Sequence, residues 1–123
     1  MKKSNIRDYG VSAFRYYAML EKNKKPAELP ENSRLKSGCI LDILAVQKTI
    51  EKLKETEEGE EILRALNTVY FTMPDRNFKK GEISDRVNKA AEEIHAAEAT
   101  IYRFLNRALI IFAENRGLRI SLF

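Results

Sequence analysis

The sequence predicts an all-α fold. Three observations carry that expectation: apolar residues recur three or four apart through most of the 123 residues, Lys, Glu, Ala and Leu are abundant, and only 5 Gly and 3 Pro interrupt them. With 44% hydrophobic and 33% charged residues, the composition is that of one folded domain of ordinary size rather than a disordered chain.

From Asn5 to about Lys22, Ile6, Tyr9, Ala13, Tyr17 and Leu20 mark one face of an amphipathic helix, with Val11, Phe14 and Tyr16 beside them. Residues 23–33 hold Pro26 and Pro30 and show no period, which reads as a connecting loop. A second helix is expected from Leu35 to Glu55. There Cys39, Ile43, Val46, Ile50 and Leu53 form a seam of two heptads, widened by Ile40, Leu41 and Leu44. The seam suits packing on the first helix or the joining of two chains in a homodimer, and Cys39 within it reads as a small buried hydrophobe. Thr56, followed by Glu57 and Glu58, reads as the N-cap of a third helix that carries Ile62, Leu63, Leu66, Val69 and Tyr70 to about Phe71 and is ended by Pro74. After a basic turn region over residues 73–81, a fourth helix is expected to open near Ile83 and a fifth near Ala97. The alternating segment 118–123 reads as a short strand or an apolar tail. The expected organisation is a helical pair over 1–55, for core or dimerisation, and a trihelical helix-turn-helix unit over 56–123.

Met1-Lys2-Lys3 is basic, but Arg7-Asp8-Tyr9-Gly10 follows in place of an apolar stretch, so no export signal is expected. No run of about 18 apolar residues suggests a membrane span, and a lone Cys39 makes no internal disulfide. A cytoplasmic protein with no membrane partner is the expectation. One His and one Cys do not supply a Cys/His zinc set. The sequence shows no GxSxG, Walker or GxGxxG pattern, and its carboxylates cluster as Glu57, Glu58, Glu60, Glu61 and Glu92, Glu93 on solvated helix faces. The chain is therefore expected to be no enzyme and to need no cofactor or metal. Its net charge is +4, distributed unevenly: residues 1–40 carry 9 basic and 4 acidic groups, 41–73 carry 4 and 7, and 74–123 carry 9 and 7. Basic ends around an acidic middle suit a partner bearing phosphate.

Residues 81–117 carry the functional signal. Ile83, Val87, Ala90, Ala91 and Ile94 make one helical face, His95-Ala96-Ala97 break the phase, and Ile101, Phe104, Leu105, Ala108 and Leu109 make a second face on a new axis. A change of phase over three residues is what a tight turn between two helices requires. Ala91 is small where the helices must approach closely, and Ile101 is branched where the second helix enters the core. His95 occupies the turn position that needs a left-handed backbone and more often holds Gly. Glu98, Ala99, Tyr102, Arg103 and Asn106 fall opposite Ile101 and Leu105, on the face that enters the major groove in a helix-turn-helix. Arg reads guanine bidentately, Asn reads adenine, and Tyr bonds a phosphate or packs on a thymine methyl. Lys79, Lys80, Arg86, Lys89, Thr100 and Arg107 are the candidate phosphate contacts.

The run from Glu92 through Ala113, above all Glu98-Ala99-Thr100-Ile101-Tyr102-Arg103 with Arg107-Ala108-Leu109, resembles region 4 of sigma-70 type factors. It is also similar to the short ArpU-like transcription regulators of phages and mobile elements. The resemblance covers about a third of the chain and implies promoter-region recognition of double-stranded DNA, with Tyr102, Arg103 and Asn106 facing bases and Arg107 a phosphate. It also implies RNA polymerase as a further partner, the acidic middle being a candidate surface. In a chain of 123 residues, the promoter-melting domains of a complete sigma factor are not expected. Two alternatives stand beside a transcription regulator: the DNA-recognition subunit of a packaging or transfer machine, similar to a terminase small subunit, and a helical interaction module that binds no DNA.

Overall fold

The structure, a computed structural model, describes residues 3–23, 37–72 and 78–118. The described residues are 85% helical and include no strand, so the fold is all-α. Five helices follow in order: α1 (Lys3–Asn23), α2 (Ser37–Lys54), α3 (Gly59–Leu66), α4 (Glu82–Ile94) and α5 (Glu98–Arg116). Asn23 still belongs to α1, and the rest of the loop expected over 23–33, Pro74 and the tail beyond Leu118 lie outside the described residues.

One buried cluster draws from all five helices and runs without a break across residue 55. Phe14 of α1, Val46 and Leu53 of α2, Ile62 and Leu66 of α3, Val87 of α4 and Ile101 and Phe112 of α5 meet in it, each with no or almost no accessible surface. α1 buries Ile6, Ala13, Phe14 and Ala18, and Gly10 sits on the same face. A glycine inside a helix weakens it by roughly 0.5–1 kcal/mol, and here a Cβ would lie 2.5 Å from Leu109 Cδ2. Gly10 thus lets α1 approach α5 closely. Phe14 stacks on Tyr70 at 6.0 Å between centroids and packs on Phe112 at 5.5 Å. Asp42 binds three helices into one unit: its Oδ1 accepts from the Tyr9 hydroxyl of α1 at 2.6 Å and from Arg116 Nε of α5 at 2.7 Å. The bond to Asp42, followed by burial, raises the Tyr9 hydroxyl above its ordinary pKa.

Three expectations are corrected. The α2 seam lies in the core at Val46 and Leu53, but Ile40, Leu41 and Leu44 do not widen the buried face. They remain 37–49% exposed, because the neighbouring helices cover the other side of α2. Thr56 does not cap α3: its hydroxyl donates to Leu53 O at 2.8 Å and closes the end of α2, while Glu58 is the N-cap residue of α3 without a side-chain bond. The third helix reaches Phe71 as expected, but its last stretch, Asn67–Phe71, is a π-helical turn. That widened turn leaves carbonyls for a donor from elsewhere.

Candidate nucleic-acid interface

α4 and α5 form a helical hairpin joined through His95, Ala96 and Ala97. His95 holds φ 60° and ψ 48°, the left-handed region, and is the non-glycine residue with positive φ among the described residues. Its N–H and that of Ala96 both return to Ala91 O, the latter at 3.0 Å. This six-to-one bond satisfies a carbonyl at the end of α4 and leaves three residues between the two helices. Ala97 is extended, its carbonyl accepts from Ile101 N–H at 3.2 Å, and α5 starts at Glu98. Ala91 is buried at the approach of the two helices, and Ile101 is fully buried.

With 19 residues at about 1.5 Å each, α5 is about 28 Å long. One side of it is core: Ile101, Phe104, Leu105, Ala108, Leu109, Ile111 and Phe112 are buried. The other side is exposed and includes Glu98, Ala99, Tyr102, Arg103, Asn106 and Arg107, so those six residues share the solvent-facing arc, with Thr100 half-buried at its margin. Tyr102 is 43% exposed, and Arg103 lies 5.9 Å from the Phe104 ring. Ile110 extends the same arc and is also exposed.

Lys79, Lys80 and Lys89 are exposed and come together around a concavity of about 410 Å3 at the start of α4. Glu82 and Asp85 line it too, and the Lys79 backbone N–H donates to Glu82 Oε1 at 3.1 Å. Those carboxylates reduce the local positive field. Arg86 departs from its expected role at a phosphate. It is buried: Nη1 donates to Val69 O at 2.9 Å and Thr72 O at 2.6 Å, and Nη2 pairs with Glu82 at 2.7 Å. The guanidinium closes the π-helical turn, supplying the donors its last carbonyls need.

Sequence reasoning did not anticipate the contribution of α1. A groove of about 820 Å3 runs between α1 and the hairpin, with Val11, Phe78 and Leu105 in its apolar lining and Arg7, Tyr102 and Asn106 among its polar groups. Phe78 is part of this lining, with Arg15 4.0 Å and Arg86 4.7 Å from its ring centroid. The available signal was the spacing of Arg7, Val11 and Arg15, four apart on one helical face. Below the groove, burial pushes the Tyr70 hydroxyl up to about 12, with the Arg7 cation acting against that rise and Tyr102 adding to it.

Among the described residues no group of three or more His, Cys, Asp or Glu is placed to hold a metal ion, and no helix is long and apolar enough to cross a membrane. The site is thus an all-α hairpin presenting a polar and cationic helix face beside a groove. Comparison of the chain with protein-family models, curated proteins and solved structures finds no match.

Proposed function

We propose that this chain is a sequence-specific DNA-binding transcription regulator of sigma-like type, reading duplex DNA with the exposed face of α5. One observation carries the reading: Tyr102, Arg103 and Asn106 lie together on the solvent side of the second helix of a tightly turned hairpin whose opposite side is core. A helix with side chains is about 10–12 Å across and the major groove about 12 Å wide, so such a face can meet base edges directly. Arg103 offers a guanine fork, Asn106 an adenine pair, and Lys79, Lys80, Lys89, Thr100 and Arg107 offer phosphate contacts. Arg86 has no part in this set. The regulator acts in the cytoplasm without catalysis or cofactor.

The resemblance of residues 92–113 to sigma region 4 and to ArpU-like regulators supports a phage or mobile-element setting and contact with RNA polymerase. Glu57, Glu58, Glu60 and Glu61 are all exposed and would suit a basic protein surface rather than phosphate. Selecting bound duplexes from a random library, followed by run-off transcription on the selected sites with purified polymerase, tests the reading. A discrete motif, polymerase co-purification and altered transcripts are the expected result. A discrete motif with neither polymerase contact nor transcriptional effect would favour the packaging or transfer subunit. No duplex enrichment would leave a protein-interaction module.

A further inference from the structure

The groove beside α5 has one wall on each of two helices, and its chemistry differs between them. α5 offers Tyr102 and Asn106, while α1 offers Arg7 and Arg15 with the carboxylate of Asp8 beside them. If α5 fills the major groove, whatever stands immediately beside it faces the sugar-phosphate backbone, because the groove is scarcely wider than the helix. The position of α1 relative to α5 is fixed by the close approach at Gly10 and by the Tyr9–Asp42–Arg116 bonds that join α1, α2 and α5. Resting on the DNA-binding reading above, we propose that α1 is a second DNA-contacting element, with Arg7 holding a backbone phosphate of the strand that passes over this groove.

Arg7 is placed and available for that role. Its pairing with Asp8 is a 3.8 Å contact between side chains 63% and 77% exposed, which contributes little and yields readily to a phosphate. Arg7 from α1 and Tyr102 from α5 both line this groove, together with Tyr70. Arg15, eight residues along α1, instead lies 4.0 Å from the Phe78 ring in the same groove. Arg7 therefore contributes affinity without sequence preference, and Tyr102, Arg103 and Asn106 contribute the preference.

Fluorescence-anisotropy titrations from about 50 to 200 mM salt test this, using a selected duplex and a scrambled one. They compare the intact chain with Arg7→Ala, Arg7→Lys, Arg103→Ala and, as a control for charge alone, Lys48→Ala on α2. Thermal melts establish that each variant folds. Arg7→Ala is expected to weaken both duplexes by the same factor, on the order of tenfold at low salt, and to flatten the salt slope by about 0.9. Arg7→Lys should restore most of the loss, since a phosphate accepts a point charge, and Lys48→Ala should change neither quantity. If Arg7→Ala behaves like Lys48→Ala while Arg103→Ala weakens the selected duplex, α1 does not touch DNA and the DNA-binding reading stands without it. A loss confined to the selected duplex would make Arg7 a base reader and overturn the phosphate assignment. Failure of the intact chain to bind either duplex would overturn both readings.

Discussion

Arg86 of α4 and Arg103 of α5 sit on adjoining helices of one hairpin, and both belong to the basic set that the sequence brings to attention. Their surroundings make them different objects. Arg86 is buried, with two backbone carbonyls and Glu82 around its guanidinium, whereas Arg103 stands on an exposed face against one aromatic ring. The difference teaches that the role of an arginine follows from which acceptors the fold leaves unsatisfied nearby. The π-helical turn at Asn67–Phe71 leaves carbonyls that need a donor, and α4 delivers Arg86 to them. The exposed side of α5 presents Arg103 and Arg107 to solvent, so their donors can meet a partner.

Removing each arginine should therefore produce opposite patterns. Arg86→Ala removes the donor to the carbonyls of Val69 and Thr72 and breaks the ion pair with Glu82, and should cost about 3–5 kcal/mol of stability in chemical denaturation. A loss below about 1 kcal/mol would mean that water replaces the guanidinium easily. The same region gives an alkaline signature. Tyr70 has its hydroxyl raised to about 12 in the fold against 10.0 for the free side chain. Its contribution is complete below pH 10.0 and is lost as pH rises towards 12, so stability should fall by about 2 kcal/mol across that window. Tyr70→Phe should flatten that decline, as urea midpoints measured at several pH values would show.

Arg103→Ala should leave stability within about 0.5 kcal/mol, because the residue lies on the solvent side. Its expected effect is a loss of about 1–3 kcal/mol in affinity for a selected duplex, with relaxed preference at one base pair, read by titration against single-base variants. The smallest effect belongs to the turn between the helices. His95→Gly exchanges roughly 1–2 kcal/mol of left-handed strain for the roughly 0.5–1 kcal/mol of flexibility that glycine loses on folding. A net gain of about 0.5 kcal/mol in thermal stability is expected, with the recognition face unmoved.

Much of the hairpin was legible because it rests on local pattern. The phase break at His95-Ala96-Ala97, small Ala91 and branched Ile101 put the helix starts near Ile83 and Ala97, and the fold begins them at Glu82 and Glu98. The left-handed conformation at His95 follows from the same break. Arg86 was not legible, since its acceptors belong to residues 69 and 72 and exist only because the preceding helix widens into a π turn, for which period-3.6 reasoning has no signal. Nor was the exposure of Ile40, Leu41 and Leu44, because periodicity gives the faces of a helix and not how much of a face its neighbours cover. The groove beside α5 had a readable clue in Gly10, a glycine inside an apolar stripe that marks a close approach, but nothing local says which helix approaches.

On the reading proposed above, duplex DNA meets the solvent-facing arc of α5. Backbone amide shifts of the isotope-labelled chain, followed by NMR as a selected duplex is added, test it most directly. The largest changes are expected over residues 98–107, smaller ones at Arg7 and around Lys79, Lys80 and Lys89, and none along the exposed side of α2 at Ile40, Leu41 and Leu44. Changes centred on α2 with residues 98–107 undisturbed would contradict that reading.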